Sequence, residues 1–194
     1  MDKKLQVRSL QYKGADFRAE ESDGIKKIRG YAVVFNVPGT PYRGYEWTEV
    51  VDPGALVDVD LSGLRLLVGH DTRQLLARAE INLRTEIDST GLFIEATLPD
   101  TTLARDTWTL VQMAILDGMS YSFYADRWET DTDKKQDRIL HITDLPEVSL
   151  VTFPAYQASV AIATEQRDEH PAGAPPEAER TRAEAELNFI LSTF

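Results

Sequence analysis

The sequence predicts a β-rich α+β fold: a closed or partly open antiparallel β-barrel, or a β-sandwich, with one main helix and a flexible C-terminal tail. Three observations support this fold class. Short segments rich in β-branched and aromatic residues recur along most of the chain, a single segment has the periodicity of an amphipathic helix, and the composition changes to Pro, Ala, Glu and Arg after residue 164. We therefore expect one domain over residues 1–163, followed by a linker and a short helix or tail over residues 164–194.

The first half of the domain has the pattern of strands separated by turns. Residues 1–29 are charged and alternating, with a turn between two short strand-like pieces. Further strands are predicted, in order, at residues 30–36, 49–51, 64–69, 75–87 and 91–98. Residues 88–91 form the hairpin turn between the last two. The strand that ends at residue 69 places His70 and Asp71 directly after its last position.

The second half contains the predicted helix and the strands that follow it. Residues with helical spacing run from about residue 101 to about residue 116, namely Leu103, Thr107, Leu110, Val111, Ala114 and Ile115. Gly118 is expected to follow the helix end in the left-handed conformation and to turn the chain into a strand over residues 119–128. Two final strands are predicted at residues 138–143 and 145–153.

Composition excludes several classes of function. The net charge of −11, with Lys and Arg interleaved among acids, leaves no basic patch for nucleic acid. A sequence with no Cys has no disulfide framework and no thiolate nucleophile, and its three histidines do not form a metal-binding motif. No apolar run approaches the ~18 residues of a membrane span, and the N-terminus lacks the apolar segment of a signal peptide. We therefore expect a cytoplasmic protein that uses no metal or other cofactor.

Ser120, His70 and Glu147 are the side chains that could carry chemistry together. Ser120 follows Gly118 at the beginning of a strand, where its hydroxyl can face a cleft. His70 stands at a strand end, where catalytic groups are often displayed. Glu147 lies in an apolar run, LPEVSLV at 145–151, where a carboxylate needs a partner such as a histidine. The three would form a Ser–His–acid relay.

Simpler interpretations stay open for each of these residues. Ser120 can be a loop serine and His70 a surface histidine, while Ser122 points to the same strand face as Ser120 and can be confused with it. Glu147 shares one face of its strand with Ser149, and that face can be solvated. Rivals for the third role in the relay are Asp71, His141 and Asp144.

Six blocks of the sequence resemble, in order, those of the HK97-type prohead (capsid maturation) serine proteases of tailed bacteriophages. The blocks are GYAVVFN at 30–36, EVVDPGA at 49–55, GHD at 69–71, LPDT at 98–101, DGMSYSF at 117–123 and EVSLVTFPAY at 147–156. The resemblance spans about residues 29–158, and six ordered blocks are far more specific than one motif. The family is similar in fold to the herpesvirus maturation proteases, a β-barrel surrounded by helices.

The resemblance implies a role for each candidate residue. It makes Ser120 the nucleophile and His70 the general base. It places an acid at Glu147 as the third member, although the herpesvirus relatives use a second histidine, which would point to His141 instead. The implied reaction is peptide hydrolysis through an acyl-enzyme, without a cofactor.

The resemblance also implies where the protein acts and on what. The expected substrates are the major capsid protein with its scaffolding segment and the protease itself, inside the assembling prohead in the host cytoplasm. Nucleic acid and membranes are not expected partners, and a homo-oligomer is left open. The competing class is a non-catalytic β-barrel assembly protein of the virion, which explains the strands but not the joint placement of His70, Ser120 and Glu147.

Overall fold

Two β-sheets and one helix make up the part of the chain that the computed structural model describes, residues 6–10, 18–39 and 47–152. In chain order the elements are β1 (Gln6–Leu10), β2 (Arg18–Ser22), β3 (Ile25–Val34), β4 (Thr48–Val51), β5 (Arg65–Val68), β6 (Asp71–Arg78), β7 (Leu83–Ile87), β8 (Gly91–Thr97), α1 (Thr102–Gln112), β9 (Gly118–Asp131) and β10 (Gln136–Val151). The predicted tail over residues 164–194, with His170, and the predicted boundary at residue 163 lie outside the described residues and stay predictions.

The first sheet is organised around the long strand β10. It has six strands in the order β1-β9-β10-β5-β6, and β4 pairs with the other half of β10. Strand β9 is antiparallel to β10, whereas β4 and β5 are parallel to it. The C-terminal half of β10 therefore lies between β9 and β5, the strands that lead to Ser120 and His70.

The second sheet is antiparallel, with the order β2-β3-β8-β7, and shares one apolar core with the first sheet and the helix. Fully or almost fully buried side chains come from both sheets and from α1, among them Ile28, Val33, Leu66, Ile94, Trp108, Tyr121 and Val148. Alternation along the strands places these side chains inward. The core fixes the two sheets and so the surface on which the candidate residues lie.

The predicted β-rich α+β fold with one main helix before the Ser120 strand is confirmed at that level. The barrel is not: the pairings of the described strands form two sheets with ends, and no closed barrel is detected among them. The closed or partly open barrel stays a prediction.

Helix α1 begins as predicted and ends earlier. The Thr101 side chain caps it by accepting a hydrogen bond from the backbone N–H of Ala104 at 3.2 Å. The predicted continuation to residue 116 is wrong, since the helix ends at Gln112 and Ala114 takes a left-handed φ of 53°. Leu110 and Ile115, which fit the helical spacing, are exposed.

Gly118 does not cap the helix, contrary to the prediction. It is the first residue of β9 and is not among the described residues with positive φ. A Cβ at this position would lie 2.7 Å from the carbonyl oxygen of Val151 on the neighbouring strand. Glycine is required here because two backbones approach closely, not because the chain turns.

Two predicted strands have different bounds in the structure. The segment predicted as one strand at 75–87 is divided between β6 in the first sheet and β7 in the second, with a turn around Glu80, whose φ is 65°. The two strands predicted at 138–143 and 145–153 are one strand, β10. Leu145 and Pro146 oppose Phe123 alone, so the chain continues through a β-bulge, a place where a proline is tolerated.

Candidate active site

His70 lies in the tight turn between β5 and β6. Val68 and Asp71 pair across the hairpin, so Gly69 and His70 are its two central residues. Both have a φ of 61°, as in a type I′ hairpin turn. Glycine adopts this conformation freely, whereas a histidine has a Cβ that disfavours it. The backbone N–H of His70 donates to Ser149 Oγ on β10 at 3.1 Å, which ties the turn to the neighbouring strand.

The imidazole of His70 contacts the carboxylate of Glu147. His70 Nδ1 lies 2.8 Å from Glu147 Oε1, and the two side chains are 28% and 12% exposed. The parallel pairing of β5 with β10 makes this contact, since Leu150 lies opposite Val68 and Glu147 opposite Arg65. The turn after Val68 therefore brings the ring back over Glu147.

Two serine hydroxyls also bind the Glu147 carboxylate. Ser122 Oγ, on β9, donates to Oε1, and Ser149 Oγ donates to Oε2 at 2.6 Å. Burial raises the pKa of the Glu147 carboxyl, but the hydrogen bonds from His70, Ser122 and Ser149 together outweigh burial and hold the pKa below its usual value. Glu147 is therefore ionised at neutral pH.

The ionised carboxylate determines which nitrogen of His70 carries the proton in the neutral ring. A carboxylate can only accept, so Nδ1 is the donor in its contact with Glu147, and Nε2 is left with its lone pair. Nε2 is buried and makes no hydrogen bond in the part of the chain that the structure describes. This tautomer is the one that a general base acting through Nε2 requires.

Ser120 lies on the same face of the first sheet. It pairs directly with Ser149, and Ser122 pairs with Glu147, so alternation directs all four side chains to one side of β9 and β10. Ser120 is fully buried, and no hydrogen bond joins it to His70 Nε2. The structure thus brings His70 and Glu147 into contact and places Ser120 two residue pairs further along β9 and β10, opposite Ser149.

The rivals for the third role have other partners or positions. Arg73, through its side chain and its backbone, holds the pKa of Asp71 well below the usual value. His141 Nδ1 lies 2.6 Å from Asp126 Oδ1. On β10, the bulge at Leu145 and Pro146 separates His141 from Glu147. Asp144 is exposed. None of these three rivals contacts the His70 ring in the described hydrogen bonds.

Ser149 is the residue that reasoning from the sequence missed. Its position two residues after Glu147 places it on the same face, and this alternation was the available signal. Solvation of that face is the simpler alternative left open by the sequence, yet Ser149 is fully buried and its hydroxyl contacts both His70 and Glu147.

Neither a metal site nor a membrane helix is found in the described residues. No group of three or more His, Cys, Asp or Glu side chains there is arranged to hold a metal ion. No helix in the same ranges has the length and apolarity to cross a bilayer.

Comparison with known proteins identifies one family. A family model described as caudovirus prohead serine protease matches residues 13–172 of the chain. No curated protein and no solved structure matches the chain.

Proposed function

The chain belongs to the caudovirus prohead serine proteases, and from this premise we propose that it is an endopeptidase of capsid maturation with Ser120 as nucleophile, His70 as general base and Glu147 as the acid of the relay. The observation that carries the assignment is the contact between His70 Nδ1 and Glu147 Oε1 at 2.8 Å. It supports a relay because it leaves the Nε2 lone pair free to accept a proton from a serine.

The register of the sheet supports Ser120 as that serine. The hydroxyl of Ser122 already donates to Glu147 Oε1, the oxygen that His70 Nδ1 also contacts. Ser120 shares the sheet face with both and has the position that the family pattern gives to the nucleophile. Since Ser120 is fully buried, a substrate reaches it only when the atoms that cover it are displaced.

The reaction would proceed through an acyl-enzyme. Ser120 Oγ attacks the scissile carbonyl carbon while Nε2 of His70 takes its proton, and the imidazolium that forms is stabilised by the Glu147 carboxylate. The C–N bond then breaks as the imidazolium gives its proton to the leaving amine. Water repeats the two steps on the ester, which releases the new C-terminal carboxylate and restores the serine hydroxyl.

The substrates that we propose follow from the family. They are the major capsid protein with its scaffolding segment, and the protease itself, inside the assembling prohead of a phage-infected host cell. The Pro-, Ala- and Glu-rich residues 164–194 are the proposed place of self-cleavage.

Coexpression with the capsid protein of the same phage tests the assignment. Ser120→Ala is expected to lower the rate of capsid-protein processing by roughly 10⁶-fold, so that no cleavage products are seen, because the attacking oxygen is removed. Cleavage products are followed by gel electrophoresis and mapped by mass spectrometry. Circular dichroism and the urea midpoint check that the variant is folded.

Ser122→Ala is the matched control, because it removes a buried hydroxyl from the same strand face two residues away. It is expected to retain measurable cleavage and labelling by a fluorophosphonate, with the adduct on Ser120. Undiminished processing by folded Ser120→Ala, together with loss of activity in Ser122→Ala, would move the nucleophile to Ser122. Processing by neither the unaltered chain nor any variant would favour a non-catalytic assembly protein.

A further inference from the structure

We propose, on the basis of the proposed function, that Ser149 is a positioning residue of the reaction: its hydroxyl couples the backbone of His70 to the carboxylate of Glu147 and so fixes the imidazole at two points. The geometry that points to this role is a closed ring of hydrogen bonds. His70 N–H donates to Ser149 Oγ, Ser149 Oγ–H donates to Glu147 Oε2, and Glu147 Oε1 accepts from His70 Nδ1–H.

One hydroxyl can make both of these contacts without competition. A serine hydroxyl has one hydrogen and two lone pairs, so it donates to Oε2 at 2.6 Å and accepts from His70 N–H at 3.1 Å at the same time. Glu147 and Ser149 are two residues apart on β10, on one face, which places the hydroxyl beside the carboxylate. Ser149 is fully buried, so water does not replace either contact.

The turn is where such a support is needed. His70 holds a left-handed φ of 61°, which a residue with a Cβ disfavours, and strained positions of this kind persist when surrounding contacts fix them. Successive positions of β10 supply those contacts. Gly69 N–H donates to the carbonyl oxygen of Leu150 at 2.9 Å, and His70 N–H donates to Ser149 Oγ. The second contact is the one that also reaches the relay acid.

The hydrogen bonds of Ser122 can be compared with those of Ser149 in the same site. The Ser122 hydroxyl donates to Glu147 Oε1, so it supports the carboxylate as Ser149 does. In the described hydrogen bonds it does not touch His70. Removal of either hydroxyl takes one donor from Glu147, but only removal of the Ser149 hydroxyl also releases the backbone of His70. The difference between the two variants isolates the ring.

The full-length chain carrying Ser149→Ala or Ser122→Ala provides the test. The substrate is a fluorogenic peptide built on a cleavage site of the capsid protein mapped by mass spectrometry. Ser149→Ala is expected to lower kcat on the order of 10²-fold with KM nearly unchanged, because a misplaced base slows the chemical step and leaves peptide binding intact. Ser122→Ala is expected to lower kcat much less.

A second readout follows the His70 ring without any turnover. In a Ser120→Ala background, NMR of the low-field Nδ1 proton of His70 reports its hydrogen bond to Glu147. This resonance is expected to persist in Ser122→Ala and to broaden or vanish in Ser149→Ala. If Ser149→Ala does not fold, Ser149→Cys, which keeps a weaker donor and acceptor at the same position, is measured instead with the same order of effects expected.

Three results would overturn the proposal. A Ser149→Ala protein with unaltered kcat and an intact resonance, but a lower melting temperature, would make the hydroxyl purely structural. Equal losses of kcat in the two serine variants would remove any role for the link to the His70 backbone. A resonance that vanishes in both variants would do the same. If instead the unaltered chain cleaves nothing while the resonance behaves as expected, the proposed protease function is wrong. The inference that Ser149 fixes the imidazole of His70 through the ring of hydrogen bonds would still be supported.

Discussion

Glu147 is the residue on which the candidate site depends. It receives hydrogen bonds from His70, Ser122 and Ser149, and they keep its pKa low although burial opposes ionisation. Because the pKa of Glu147 is lower in the folded state than in the unfolded state, its ionisation stabilises the folded protein. This stabilisation is fully present above the unfolded-state pKa and is lost as the pH falls through the folded-state pKa. At neutral pH the carboxylate is therefore charged and able to stabilise an imidazolium on His70.

Substitution of Glu147 should be much more damaging than substitution of His141. Glu147→Gln replaces an acceptor oxygen by an amide that can donate to Nδ1, so it favours the wrong tautomer of His70 and leaves the imidazolium without a counter-charge. We expect kcat to fall by roughly 10⁴-fold. His141→Gln should leave kcat close to that of the unaltered chain, since His141 bonds to Asp126 and not to His70.

Capsid-protein processing and peptide kinetics at pH 7 measure both variants, and circular dichroism checks their folding. The reverse ranking, with His141→Gln the more damaging change, would favour a Ser–His–His relay. Equal, small losses in both variants would leave His70 as a base without a relay partner.

At the scale of the elements, the sequence predicts where a strand lies better than it predicts which strands pair with it. It correctly places His70 at a strand end, Ser120 at the beginning of a strand and Glu147 within one. The face that Glu147 occupies could not be predicted, because the extra residue at Leu145 and Pro146 inverts the alternation along β10. The face of Glu147 is set by its pairing with Ser122 on β9, and this pairing joins residues that are distant in the sequence.

The error at the helix end has a local cause. Apolar residues after Gln112 continue the helical spacing, but Ala114 adopts a positive φ that its own type does not indicate. Gly118, which the sequence pattern suggests as the helix cap, instead allows the close approach of β9 and β10. The need for a glycine at position 118 becomes clear only from the structure, in which Val151, 33 residues later in the sequence (118 to 151), packs against it.

Gly118→Ala tests that close approach between β9 and β10. The added Cβ would lie 2.7 Å from Val151 O, so one strand must shift, and we expect a loss of about 1–3 kcal/mol in the free energy of unfolding. Gly63→Ala is the matched control, since a Cβ there meets nothing within 4 Å. Its expected change is within about 0.5 kcal/mol.

Urea denaturation of both variants gives the comparison. Because Ser120 is two residues from Gly118 on β9, the shift should also lower the cleavage rate at temperatures where the variant is folded. Equal stability of the two variants would show that the strands have room to separate, and the close approach would then not explain the glycine.

At the scale of the whole molecule, one of the places where the chain passes from the first sheet to the second is between β6 and β7. The sequence pattern here is that of one continuous strand, which is why the crossing was not predicted. Asn82 lies at the crossing. Its Oδ1 accepts from Arg78 N–H at 2.9 Å, and its Nδ2 donates to Leu76 O at 3.3 Å on β6 and to Thr97 O at 2.9 Å on β8. One side-chain amide therefore links backbones of both sheets.

Asn82→Ala should destabilise the whole domain rather than one sheet. Each lost hydrogen bond contributes about 0.5–1.5 kcal/mol, so we expect the free energy of unfolding to fall by about 2 kcal/mol. Asn82→Asp keeps the oxygen that accepts from Arg78 but directs a second oxygen at two carbonyls, so it should destabilise the protein at least as much. Urea denaturation measures the loss, and hydrogen–deuterium exchange shows where it acts: amides of β6 and β8 should become exposed together. Protection lost in one sheet alone, or an Asp variant as stable as the unaltered chain, would mean that the amide does not couple the two sheets.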